Sequence, residues 1–268
     1  MLYAIPSALV SILLLALMGG GIVLGHRLGK TRAQACTEAW REHVNSIQSA
    51  VLALLALLLA FTFSLALQRF DDRSQAVVDE ANAIGTALLR ADLLPAQLRD
   101  EARSVIGRYL DARVQESALR LPDTESRRQA NAAAAQAQAA LWSVGVRAAQ
   151  DGSASMASFL FVQAVNELID SFGRRNAALE RHVPELVTTL LFALLLMAGA
   201  TLGYTAGVSS HRPSMLTYVL VCVMAVLVFV VLDLDRPRRG IIQVSHGALV
   251  ELQSTLQQEL RRAAPAAR

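Results

Sequence analysis

Four runs of apolar residues without a charged side chain constrain this chain more than any other feature: Leu2–Leu24, Ala50–Leu67, Leu186–Val208 and Ser214–Leu232. They take up 83 of the 268 residues, and all 47 Asp, Glu, Lys and Arg side chains lie outside them. Each run is close to the ~20 residues that an α-helix needs to cross a bilayer core of about 30 Å. With 54% apolar residues and a mean hydropathy of +0.40, the chain is too apolar for a soluble domain. The expectation is an all-α integral membrane protein with four transmembrane helices in two hairpins. No basic residue precedes the first run, so that run is expected to stay as a span rather than leave as a secretory signal.

The expected organisation is a first hairpin over residues 1–68, with spans at about 2–24 and 46–68. A soluble helical-bundle insert follows over 69–183, between spans 2 and 3. A second hairpin covers 184–235, with spans at about 185–208 and 214–233, and an amphipathic tail fills 236–268. An even number of spans puts both termini and the insert on one side. Near the span ends that side carries Arg69, Arg73, Arg174, Arg175, Arg181, Arg236, Arg238 and Arg239, against Arg27, Lys30, Arg32, Arg41 and Arg212 on the other. Positive residues stay inside, which makes the insert and termini cytoplasmic, although the first span alone argues the reverse.

The insert reads as four helices. Apolar residues recur at helical spacing in Val77, Ala81, Ile84, Leu88, Ala91, then in Leu98, Ala102, Val105, Tyr109, Ala112. The third series is Ala130, Ala134, Ala137, Leu141, Val144, Ala148, and the fourth is Phe159, Val162, Asn166, Ile169, Phe172. Breaks fall at Pro95, at Leu121-Pro122-Asp123 and at Asp151-Gly152-Ser153. No Gly or Pro interrupts Leu65–Asp72, so one rod is expected from about Val44 to about Ala91. The fourth insert helix is expected to run up to Val183-Pro184, which joins span and bundle mechanically.

Two glycine triplets at i, i+4, i+8 stand out: Gly21, Gly25, Gly29 in the first span and Gly199, Gly203, Gly207 in the third. Each triplet lies on one helix face and allows another backbone to come close, so both are helix-packing candidates. In the second span Ala53, Ala56, Ala60 and Ser64 form a small-residue stripe suited to packing, beside a bulky stripe with Leu58, Phe61 and Leu65. Around a symmetry axis these three would form apolar rings that gate by dewetting; facing lipid, they would need no such purpose.

Glu80 and Asn82 on the helix leaving the membrane, and Asn166, Asp170 and Arg174 on the returning one, suggest a polar network; solvated faces are the plainer reading. Asp233 and Asp235 end the fourth span, where acids oppose the helix dipole and call for cationic partners, which the following arginines supply. As metal ligands the two are weak candidates, being few for Ca²⁺. The tail continues with Leu249, Leu252, Leu256 and Leu260, whose apolar face is expected to dock on protein. Cys36 and Cys222 suggest no disulfide. The histidines His26, His43, His182, His211 and His246 are dispersed, and no nucleophile elbow or phosphate loop is present. Neither enzymatic activity nor a cofactor or nucleic-acid partner is expected. The spans lack the buried ionisable groups of a proton pump.

The stretch Leu58–Pro95, with Phe61-Thr-Phe-Ser64, Arg69-Phe-Asp71, Glu80-Ala-Asn-Ala-Ile-Gly85 and Leu89-Arg-Ala-Asp-Leu-Leu-Pro95, resembles the bacterial bestrophin-like family of membrane proteins. So do Asn166-Glu-Leu-Ile-Asp170 and Asp233-Leu-Asp-Arg-Pro-Arg-Arg-Gly240. The layout is similar, more distantly, to bestrophins, which are pentameric anion channels with an apolar neck on the second span. The resemblance implies a homo-oligomer, a pentamer by analogy, in a bacterial inner membrane, with lipid and an inorganic anion as partners. The dense acidic calcium clasp of bestrophins is reduced here to Asp233 and Asp235. Two other classes fit the same layout: a membrane-anchored sensor or scaffold without a pore, and a stator-type proton channel, of which Thr188, Thr189 and Thr201 are the local echo.

Overall fold

The computed structural model describes residues 6–35, 37–119, 124–150, 155–236 and 240–263. Residues 1–5 of the first apolar run, Cys36, the breaks at Leu121-Pro122-Asp123 and Asp151-Gly152-Ser153, Pro237, Arg238, Arg239 and the Leu260 side chain lie outside the described residues. Among those described, the regular structure is helical: α1 (Ser7–Arg32), a 3₁₀ turn (Ala33–Ala35), α2 (Glu38–Ala91), α3 (Ala96–Ala118), α4 (Thr124–Gln150), α5 (Ser155–Glu180), α6 (Glu185–Val208), α7 (Met215–Leu234) and α8 (Gly247–Ala263). Among the described residues four helical stretches are long and apolar enough to cross a membrane, and their apolar parts lie in α1, α2, α6 and α7.

Proline sets three of the starts. Pro6, Pro95 and Pro184 precede α1, α3 and α6 with φ of −53°, −52° and −54°, the angle a helix entrance needs, and each lacks an N–H that would otherwise go unbonded. With no Gly or Pro among Leu65–Asp72 to break it, α2 runs unbroken for 54 residues, about 80 Å at 1.5 Å per residue. The return path is different. α5 stops at Glu180 and residues 181–184 are not helical, because the ring of Pro184 disfavours helical geometry in the residue before it.

The chain divides into two compact units. The apolar unit comprises Met1–Phe70 and His182–Gln243; the polar bundle comprises Asp71–Arg181 and Val244–Arg268. In the apolar unit, Leu14, Met18 and Ile22 of α1 share one core with Leu55 and Leu59 of α2, Leu191, Leu195 and Ala198 of α6, and Val221 and Val228 of α7. In the bundle, the first and third apolar series are buried throughout, and the second is buried from Ala102 to Ala112. The fourth is displaced. Phe159 and Asn166 are exposed, and the inward face of α5 is Ser158, Phe161, Ala164, Val165, Leu168, Ser171 and Arg175. Two serines and an arginine on that face hide it from a search for apolar periodicity; the serines are satisfied locally, Ser158 by the carbonyl of Ala148 (2.6 Å) and Ser171 by that of Leu168 (2.8 Å).

The tail is part of the bundle from Val244 onward. Leu249 and Leu256 of α8 are buried, and Leu252 and Leu256 lie over Gly85 and Gly107, where an added Cβ would stand 3.8 Å from each leucine.

Candidate functional site

The glycines of α1 and α6 face one another. A Cβ on Gly25 would stand 2.2 Å from the carbonyl oxygen of Ala200, and one on Gly29 2.3 Å from that of Tyr204. From the other side, a Cβ on Gly203 would meet the Ile22 oxygen at 2.1 Å and one on Gly207 the His26 oxygen at 2.3 Å. Gly199 is also tight, at 3.0 Å from the Met18 oxygen, while Gly21 has room at 3.4 Å. Four of the six glycines therefore occupy space that any side chain would need, and the two helices touch through their backbones.

On α2 the inward face is Leu55, Leu59, Thr62 and Ala66. The stripe of Ala53, Ala56, Ala60 and Ser64, expected to suit packing, is exposed within the single chain. Phe61 is 64% exposed. Leu58 and Leu65 are half-buried against the apolar unit's core, so Phe61 stands furthest out of the three. Thr189 and Thr201 each bond a carbonyl of their own helix, Glu185 (2.8 Å) and Ala198 (3.0 Å).

The expected polar network has different members. Asn82 is exposed, Asn166 donates to Asp170 on its own helix at 3.3 Å, and Arg174 pairs with Glu167 on the surface. Glu80 instead turns inward. Its Oε1 accepts hydrogen bonds from Tyr109 Oη and Arg113 Nε, both at 2.7 Å, and its Oε2 accepts from Arg175 Nη1. Glu80 and Arg113 are wholly buried and Arg175 is 2% exposed. A helix advances 100° per residue, so moving from Arg174 to Arg175 turns the guanidinium from solvent to the core. Glu116 adds a second carboxylate, 3.5 Å from Arg175, 3.8 Å from Arg113 and 3.9 Å from Arg127. The Arg113 guanidinium also lies over the Phe172 ring at 4.8 Å.

Burial alone would raise the pKa of Glu80, but the charges and hydrogen bonds of Arg113 and Arg175 outweigh it and hold the carboxyl below its ordinary range. Burial first, and then the Glu80 charge, push the Tyr109 phenol far up. Nearby, Arg73 donates to the carbonyls of Ala178 (3.3 Å) and Arg181 (2.7 Å), which satisfies the C-terminal end of α5 from α2.

Asp233 and Asp235 are both buried. Asp233 accepts from Ser7 Oγ at 3.0 Å and from the Ile242 amide at 2.8 Å. Asp235 accepts from the Val183 amide at 2.9 Å, and its carbonyl lies 3.0 Å from His182 Nδ1. Of the arginines expected as partners, Arg238 and Arg239 lie outside the described residues, and the bonds from Ser7 and Val183 come from the first turn of α1 and the approach to α6. Both are helix N-terminal ends, where a carboxylate is favoured by free amides and by the dipole. Among the described residues no group of three or more His, Cys, Asp or Glu side chains is placed to hold a metal ion.

Sequence reasoning missed Arg113, Arg175 and Glu116. The signal was there: Glu80 falls between Val77 and Ile84 on the apolar face of its helix, and Arg113 comes four residues after Tyr109. A charge in phase with an apolar stripe marks a buried partner.

This architecture, apolar helices long enough to span a bilayer together with a helical bundle tied by buried charge, defines a class of helical membrane protein. The bestrophin-like domain profile matches residues 11–249, and the chain belongs to the bestrophin-like family. Its fold is similar to crystal structures of a bacterial bestrophin homologue from Klebsiella pneumoniae. One single-substitution variant superposes with a TM-score of 0.68 at 16% identity, covering 93% of this chain and 98% of that one. A form solved by zinc phasing gives 0.64 at 15% identity, covering 92% and 97%. No curated protein matches the sequence.

Proposed function

We propose that the chain crosses a bacterial inner membrane four times, as two hairpins with the bundle inserted between spans 2 and 3. In this reading it assembles into a homo-oligomer, a pentamer by analogy, that conducts an inorganic anion. The insert and both termini are cytoplasmic. Copies of α2 surround the axis, with Phe61 at the centre of an apolar neck flanked by Leu58 and Leu65. A ring of phenyl groups would empty of water when narrow and admit hydrated ions when widened.

The observation that carries this reading is the uncovered apolar face of α2. It exposes Leu54, Leu57, Phe61 and Phe63 together with the small stripe, in a chain whose family membership extends over residues 11–249. Such a face suits either contact with neighbouring copies or a lumen. The test is purified protein in planar bilayers beside a mass measurement of the detergent-extracted assembly. Unitary currents from an oligomer, altered in size or rectification by Phe61→Ala, support the channel. Electrical silence from intact oligomers leaves a scaffold, and a lone protomer removes the pore. Reporter fusions at residue 130 and at the C-terminus test the orientation.

A further inference from the structure

α8 starts on a histidine. The carbonyl of His246 accepts from the amides of Leu249 (3.1 Å) and Val250 (3.3 Å), and its half-buried side chain has an Nδ1 shielded from solvent without a hydrogen-bond partner. The charges that act on it are those of Arg175 of α5, Arg113 and Glu116 of α3, and Glu80 of α2. Both acids are already engaged, Glu80 with Tyr109, Arg113 and Arg175, and Glu116 with Arg113, Arg127 and Arg175. Among these named groups there are two carboxylates for three guanidiniums. A charge arriving on the imidazole would therefore meet a burial cost, arginines whose counterions are shared, and the positive end of α8. Burial first, then Arg175, hold the imidazole below its ordinary value of 6.5.

α8 has further attachments to the bundle. They are the buried Leu249 and Leu256, the pair of Arg103 with Glu259 at 2.8 Å, and the bond from Gln253 to Asp111 at 2.6 Å. We propose that His246 is an acid-release latch for the C-terminal helix: with a neutral imidazole α8 lies docked on α2 and α3, and protonation frees it from the bundle. Above pH 6.5, the ordinary value, the imidazole is neutral whether α8 is docked or free, and the latch is closed. Below it the released segment takes up the proton more readily than the docked one. The opening constant then rises about tenfold for each unit by which docking depresses the pKa.

Hydrogen exchange on the full chain in detergent, at about pH 7.5 and about pH 5.5, tests this without reference to conduction. After correction for the intrinsic pH dependence of exchange, acid should lower the protection of the 249–256 amides at least about threefold more than that of the 102–113 amides. His246→Gln should abolish this difference while keeping the protection seen at the higher pH. Equal wild-type protection of α8 at the two pH values overturns the latch, as does an acid loss that His246→Gln leaves in place. His246→Leu, also uncharged at both pH values, serves the same comparison if the glutamine variant does not fold.

Discussion

The apolar unit and the polar bundle hold their helices together by opposite means. α1 and α6 meet through glycine backbones, with Gly25 and Gly203 set where a single methyl group would collide with a carbonyl oxygen. α2, α3 and α5 meet through one carboxylate shared by Tyr109, Arg113 and Arg175. Helices in lipid gain little from hiding apolar surface from one another, so close approach and dispersion must supply the attraction. A bundle in water collapses without help, and what it lacks is a reason to prefer one register. A buried, fully engaged carboxylate supplies that reason, because a rotated helix would strand a charge in the core.

The comparison breaks first at Glu80. Glu80→Ala leaves the buried Arg113 and Arg175 with the more distant carboxylate of Glu116 and should cost about 3–5 kcal/mol, the range for removing one partner of a buried pair, read as a lowered unfolding midpoint of the bundle. An unchanged midpoint would remove the ionic half of the contrast. Gly203→Ala tests the other half: forcing α6 away from α1 should cost about 1–3 kcal/mol, whereas Gly19→Ala, with open space around it, should be neutral or slightly stabilising.

Acid sharpens the contrast. The pKa of Glu80 is held below its ordinary 4.5, so its contribution is complete above that value and is lost as the pH falls through the depressed one. Bundle helicity should show an acid transition below about pH 4.5 that Glu80→Gln flattens, while the α1–α6 contact, made through backbone atoms, should be indifferent. The smallest effect is at Arg174, exposed and paired with exposed Glu167: Arg174→Ala should cost no more than about 0.5 kcal/mol. Double substitution of Glu80 with Arg174 should be additive, and that of Glu80 with Arg175 should not.

Uninterrupted stretches were the most legible part of the sequence. The apolar runs, the absence of any breaker through Leu65–Asp72 and the paired glycine triplets each follow from one local rule, and the structure contains the corresponding helices and backbone contacts. Features that need two distant segments were less legible. The inward face of α5 was misjudged by about one residue because Ser158, Ser171 and Arg175 stand where periodicity looks for apolar side chains. The partners of Asp233 and Asp235, at Ser7, Ile242 and Val183, are invisible until helix ends remote in sequence are brought together. The sites of buried charge were readable as charges in phase with apolar stripes, but which charge meets which was not.

The unbroken length of α2 constrains how its gene can change. Leu55 and Glu80 are both wholly buried and belong to one helix with no Gly or Pro between them. Deleting or inserting a single residue anywhere in that interval would turn one of the two by about 100° relative to the other, swinging either a leucine or a carboxylate out of its place. Point changes can accumulate along this segment, but its spacing is phase-locked, and descendants of this chain should keep the count from Leu55 to Glu80 even where they keep little of its spelling.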